Sequence, residues 1–240
     1  HSVLDIDQED INFDDFVRFR LKNNNLYFNS TYKHFLEDDW TITSGASLSI
    51  DTNDIGILEN TIATNETASH LKVKVNKNFS NRFQLQVGTE YFMTDYTDTF
   101  SAPNSDRLDS GFNDNLFGAF AEADVFFSNS FAVKLGVRAE HSSILNATSV
   151  APRLSLAYKS GEKSQFSLAY GHFYQNPVTE YGKFQPNLET EKTSHYIFNY
   201  QYLDNGKTFR AESYYKDYNG LVKFNTDIPQ FNSEYTNGGN

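Results

Sequence analysis

Alternation governs this chain. Phe131, Val133, Leu135, Val137 and Ala139 alternate with Ala132, Lys134, Gly136, Arg138 and Glu140. Successive side chains of a strand point to opposite faces, so one face is apolar and the other charged or small. The same reading holds for Phe83, Leu85, Val87, Thr89 and Tyr91 against Arg82, Gln84, Gln86, Gly88 and Glu90. It holds for Leu71, Val73 and Val75 against Lys72, Lys74 and Asn76. It recurs at Phe117, Ala119, Ala121, Ala123, Val125 and Phe127, where only Phe120 and Phe126 break the pattern. Further strands read Trp40–Ile50, Leu154–Tyr158, Phe166–Tyr170, Tyr196–Tyr202 and Phe209–Ala211. No window sustains a 3.6-residue stripe, so very little helix is expected.

The interruptions are regular. Tight polar turns fall near Glu37–Asp39, Phe79–Asn81, Ser128–Ser130, Ser160–Lys163 and Asp204–Lys207. Between them lie longer polar segments near Thr52–Thr67, Thr94–Asn115, Ser142–Val150, Tyr174–Thr190 and Asn219–Phe231. Short and long connections in alternation define an antiparallel up-and-down meander of ten to twelve strands with one trimmed end and one elaborate end. Asn23–Asn25 is read as part of a strand over about Leu21–Phe35, because a turn there would break the alternation. Register follows from the turns. Val133 should face Val125, Lys134 should face Asp124, and Tyr158, Leu156 and Leu154 should face Phe166, Leu168 and Tyr170.

A one-sided apolar sheet suits either a water-soluble β-protein or a membrane barrel. Strands of about 10–14 residues favour the barrel, since soluble strands cluster near 5–6 and spanning ones need about 9–11. Aromatic residues reach 16% of the chain, with Phe 22 and Tyr 15. They crowd strand ends at Tyr91-Phe92, Phe126-Phe127, Phe173-Tyr174 and Tyr214-Tyr215, as interfacial girdles do. No run of about 18 apolar residues occurs, which excludes a membrane helix and leaves a barrel open. The expected fold is all-β, an antiparallel meander forming about half of a transmembrane outer-membrane β-barrel.

Chemistry is sparse. The absence of cysteine excludes disulfides and thiolate sites, and a net charge of −11 argues against nucleic acid as a partner. The six histidines are scattered, without metal-site spacing or a G-x-S-x-G nucleophile elbow. His141 and Ser142 are neighbours on one strand and point to opposite faces, so His141 cannot activate Ser142. The acidic stretch Asp95–Asp114 has Arg107 as its sole cation and lacks calcium-loop spacing. Neither a catalytic site, a metal site nor a cofactor is expected.

Between Arg138 and Val222 the sequence resembles a known family. The pieces are Arg138-Ala139-Glu140-His141, Ala151-Pro152-Arg153-Leu154-Ser155-Leu156-Ala157-Tyr158-Lys159 and Gln165-Phe166-Ser167-Leu168-Ala169-Tyr170-Gly171. They continue as Phe173-Tyr174-Gln175-Asn176-Pro177, Leu188-Glu189, Glu191–Tyr196, Asn199–Tyr202 and Phe209–Val222. In this order they look like the barrel strands of TonB-dependent outer-membrane receptors, and Asn25–Trp40 is similar to earlier strands of that family. The resemblance implies a 22-stranded barrel with an N-terminal plug. It also implies import of iron–siderophores, cobalamin, glycans or peptides, driven by a periplasmic TonB-type energy-coupling protein. Residues 1–240 are then expected to be an internal piece of the barrel, without plug or C-terminal strands. A passive outer-membrane channel or adhesin barrel, and a soluble β-rich binding protein, remain as alternatives.

Partners implied by this reading are the lipid bilayer with its lipopolysaccharide, the coupling protein acting through the plug, and a nutrient ligand. If the short turns are periplasmic, the long connections are extracellular, where loops on a rigid scaffold carry recognition. Tyr96, Asp98, Phe100, Tyr181, Phe184 and Phe224 are the candidate ligand contacts there.

Overall fold

The structure is a computed structural model and describes residues 1–9, 16–178, 188–224 and 234–240. Its strands are β1 Ser2–Glu9, β2 Phe16–Phe35, β3 Trp40–Ile57, β4 Asn60–Ser80, β5 Phe83–Ser101 and β6 Leu108–Phe126. They continue with β7 Phe131–Ser142, β8 Ala147–Lys159, β9 Ser164–Gln175, β10 Glu191–Asp204 and β11 Lys207–Asn219. These eleven form one sheet in chain order, and a separate hairpin pairs β12 Leu221–Phe224 with β13 Tyr235–Gly239. The sheet is the expected meander, and β2 runs through Asn23–Asn25 without a turn.

Register also agrees with the turn chemistry. Tyr158 pairs with Phe166, Leu156 with Leu168 and Leu154 with Tyr170. Lys134 Nζ lies 3.3 Å from Asp124 Oδ1, as the hairpin centred on Asn129 requires. Asn205 and Gly206 both hold positive φ (46° and 78°), the conformation that a two-residue hairpin turn demands.

Two stretches read as loops are mostly strand. β3 and β4 extend through Thr52–Ile57 and Asn60–Thr67, joined only at Leu58-Glu59, and β5 and β6 extend through most of Thr94–Asn115. The apolar–polar alternation that marks the other strands is missing from these segments. Threonine and tyrosine still favour extended backbone there. Leu58 turns at φ 54° without the Gly, Asn or Asp that usually marks such a position, so the tip left no turn signal. β1 was likewise unmarked. Arg18 and Arg20 on β2 pair with Asp7 and Asp5 of β1, at 3.0 and 4.0 Å.

The chain packs as two compact units. The first comprises residues 1–31, 45–71 and 91–116, and includes the paired arms of β3–β4 and β5–β6. The second comprises residues 32–44, 72–90 and 117–240, and carries the regular hairpins of β7–β11.

Burial in the second unit is inverted relative to a water-soluble protein. Leu135, Leu168 and Phe198 are 51%, 51% and 43% exposed, while Glu90 on the opposite face is 7% exposed. Leu154, Leu156, Leu168, Tyr170, Tyr196 and Phe198 form one continuous apolar surface across β8–β10. Tyr170 pairs with Tyr196, which pairs with Tyr215, giving a row of phenols across three strands. Such a surface calls for an apolar partner, which hydrocarbon supplies to a membrane-spanning strand. Leu156→Arg should therefore cost about 2–4 kcal/mol if it sits at the bilayer midplane. Urea titration of the lipid-embedded receptor checks this, and an unchanged midpoint would place Leu156 away from lipid.

Candidate functional site

Charged side chains on the polar face are organised by small ones. A Cβ at Gly118 would lie 3.0 Å from Arg138 Nη2, one at Gly136 3.4 Å from Glu122 Cγ, and one at Gly171 3.2 Å from Arg153 Cγ. The glycines leave room for long ionic side chains to lie across the strands. Glu90 is held between Lys72 and Arg138 Nη2, the latter at 2.9 Å, and Arg138 Nη2 also meets Glu140 Oε1 at 2.6 Å. Gln86 donates to Glu122 Oε2 at 3.3 Å.

Phe120, one of the two residues that break the alternation on β6, belongs to this face. Its ring lies over Gly88, where an added Cβ would come within 2.5 Å of Cζ and 2.7 Å of the Val73 carbonyl. Lys72 Nζ sits 5.4 Å from the Phe120 ring centroid. The aromatic thus covers the Lys72–Glu90 pair, and a cation over its face accounts for its place among charges. Removing the Glu90 charge would leave Lys72 and Arg138 facing one another. Glu90→Gln should destabilise by roughly 1–3 kcal/mol, the range for orphaning a covered polar partner. Urea titration of this variant beside Glu212→Gln, whose partners Arg210 and Asn199 meet it in exposed contacts, checks it through a much smaller shift in the control.

The candidate ligand contacts are distributed differently. Tyr96, Asp98 and Phe100 take alternate positions of β5, so all three face the same way, and all are half-buried. They stand on a strand rather than in a loop. The Tyr96 ring stacks on Phe112 of β6 with centroids 5.6 Å apart. Phe224 is exposed on β12 and meets Tyr235 of β13 edge-on at 6.3 Å. Tyr181 and Phe184 lie outside the described residues.

Near the tip of the β5–β6 arm a polar clip had no sequence signature. Thr99 Oγ1 donates to Asp109 Oδ1 at 2.8 Å, and Arg107 Nε donates to the same oxygen at 2.8 Å. Arg107 is thereby spent on Asp109. The Thr99 hydroxyl first, and the Arg107 guanidinium after it, hold the Asp109 carboxyl below its ordinary value. A depressed folded-state value contributes stability above the unfolded value, near 3.9, and loses it as pH falls through the lowered one. Amide exchange at the arm tip should therefore be flat from pH 8 to 5, after correction for intrinsic rates, and rise below about pH 4. In Asp109→Asn the acid-induced rise should disappear.

In the second unit, Asn237 joins chain segments through its side chain. Glu189 N donates to Asn237 Oδ1 at 2.8 Å, while Asn237 Nδ2 donates to the carbonyls of Glu189 and Gly220 at 3.0 and 2.8 Å. The segments before β10 and after β11 are thus fastened beside one another. His141, on the other face from Ser142, meets Thr148 Oγ1 at 3.0 Å, and Ser142 Oγ accepts from Asn176.

An antiparallel meander with an exposed apolar face and an ionised opposite face is the wall of an outer-membrane β-barrel. The family profile described as "TonB dependent receptor-like, beta-barrel" matches residues 3–240, and the chain belongs to that family. Among solved structures it is similar to the alcaligin outer-membrane receptor FauA from Bordetella pertussis, with TM-score 0.69 and 12% identity over 97% of this chain and 43% of that one. It is similar to the copper transporter OprC, with TM-score 0.73 and 10% identity over 93% of this chain and 41% of that one. It also resembles the RagAB peptide importer, with TM-score 0.65 and 12% identity over 91% of this chain and 33% of that one. The chain thus spans less than half the length of these solved structures, and at such identities the likeness concerns the fold. No curated protein matches it. The soluble β-protein alternative is set aside by this fold.

Proposed function

We propose that the protein is an outer-membrane active-transport receptor that imports a scarce nutrient with energy from a TonB-type coupling protein. The observation that carries this reading is a match to the receptor-barrel family along residues 3–240, on a sheet whose apolar face is exposed and whose opposite face encloses the Glu90 carboxylate. The family and the similar structures are transport receptors. A passive channel or adhesin barrel is the lesser reading. It lacks the support of the family match.

Residues 1–240 would supply about half of the barrel wall. β11 is exposed at all thirteen positions and, among the described residues, pairs in the sheet with β10 alone, which leaves its outer edge without a strand partner. Hydrocarbon tolerates no such edge, and further strands of the full protein would close the wall and surround a plug. Outer leaflet lipid and lipopolysaccharide would meet the Tyr170–Tyr196–Tyr215 row. The protein would reside in the bacterial outer membrane.

Ligand would first meet the arms. Tyr96, Asp98 and Phe100 present two rings and a carboxylate on one strand face, and Phe224 adds a further exposed ring. Tyr181 and Phe184 are proposed contacts from the same sequence pattern. Aromatic surfaces beside carboxylates suit a neutral or cationic polyfunctional ligand such as a metal chelate, a glycan or a peptide. The similar proteins named for alcaligin, copper and peptide share this wall fold. The nutrient itself would therefore be chosen by arms and plug.

Uptake in cells carrying the full receptor should stop when the proton gradient is dissipated or the coupling protein is deleted. Uptake that survives both would favour a passive channel. Deleting Asp98–Asp109, or combining Tyr181→Ala with Phe184→Ala, should weaken ligand binding at least tenfold. Unchanged binding after both would reduce these segments to a cover over the barrel rim.

A further inference from the structure

Beside the Glu90 pairing lies a polar cavity of about 200 Å³ on the same face, lined by Lys72, Lys74, Gln86, Glu122, Arg138 and Arg153 together with Glu90 and Phe120. Its charges do not balance. Four cations line it, from Lys72, Lys74, Arg138 and Arg153. Two carboxylates line it, and the third, Glu140, reaches Arg138 from outside. Glu90 is occupied by Lys72 and Arg138, Glu140 by Arg138, and Glu122 accepts from Gln86.

Lys74 and Arg153 remain. Among the described residues neither makes an ion pair. Arg153 is nevertheless fixed in place. Its stem lies against Gly171, and its guanidinium carbon is 4.9 Å from the centroid of Phe173. A planar donor fork held on an aromatic face, without a carboxylate of its own, is prepared for a planar acceptor. Lys74, lining the same cavity, adds an ammonium.

We infer that this cavity is a carboxylate-binding subsite in the barrel interior, in which Arg153 and Lys74 receive one carboxylate group from whatever occupies the lumen. One such group would bring four cations and three carboxylates to neutrality. The cavity volume accommodates a carboxylate with its nearest carbons rather than a whole siderophore. The inference rests on the barrel fold and on this side-chain set, not on the identity of the imported nutrient. Two sources share the chemistry: a diffusible carboxylate ligand, or an Asp or Glu side chain of polypeptide filling the barrel.

The test uses the full-length receptor in detergent at low salt, with citrate as the diffusible probe and a water-soluble carbodiimide as the polypeptide probe. The carbodiimide activates a carboxylate, the Lys74 amine displaces the resulting urea, and an amide bond records the contact. Saturable citrate binding that weakens at least tenfold in Lys74→Gln/Arg153→Gln, and stays unchanged in Lys163→Gln, supports the subsite with a diffusible occupant. Coupling of Lys74 to a carboxylate other than Glu90, Glu122 or Glu140, identified by mass spectrometry, supports it with a polypeptide occupant. Heat-modifiable migration confirms that the variants fold. Absence of variant-sensitive citrate binding, together with Lys74 coupling only within the cluster or not at all, overturns the inference. Loss of energised uptake would contradict the transport reading without touching this one.

Discussion

Hydrocarbon on one side of a sheet and water on the other is the constraint from which this structure follows. Every backbone amide within the bilayer must find a partner on a neighbouring strand, because lipid offers none. That requirement explains the uninterrupted order β1 to β11 and the unshifted register from β7 through β11. It also explains the inverted burial. Leu168 and Phe198 need no protein cover because lipid provides it, whereas the Glu90 carboxylate is enclosed by Lys72, Arg138 and Phe120.

The polar face shows how a narrow sheet surface stores charge. Alternation alone would put a long ionic side chain at every second position of each strand, crowding its neighbours. Glycines at 88, 118, 136 and 171 remove that crowding, and Phe120, Glu122, Arg138 and Arg153 lie across the space they leave. Small residues that look like gaps in the pattern are therefore part of it. Their presence converts scattered charges into a connected set, with two cations left over.

Legibility in the sequence tracked the solvent. Where a strand separates lipid from water, as in Phe131–Ala139 or Leu154–Tyr158, period two is forced on the residues, and strand, face and register could all be read. In Thr52–Thr67 and Thr94–Asn115 no period of two runs through the residues, so the sequence reads as loop where the backbone is strand. β1 escaped for a related reason, since its acidic row is matched only by Arg18 and Arg20 on a different segment. Tyr96, Asp98 and Phe100 read as loop residues in the sequence, and their place on one face of a strand was not legible there. The Thr99–Arg107–Asp109 clip and the glycine floor under Arg153 depend on contacts between strands, which the sequence of a single strand does not carry.

The central claim is the assignment of the two faces, and the absence of cysteine in these 240 residues makes it directly measurable. Nitroxide labels would be placed one at a time at Leu156, Leu168 and Phe198, and at their neighbours Ser155, Ser167 and Asn199, in the full receptor reconstituted in bilayers. Collision with dissolved oxygen reports lipid contact, and collision with a water-soluble nickel chelate reports aqueous contact. Labels at Leu156, Leu168 and Phe198 should be relaxed by oxygen and protected from nickel, and those at Ser155, Ser167 and Asn199 should lack the oxygen effect. Nickel access at the first three positions, or equal oxygen access at all six, would contradict a lipid-facing wall.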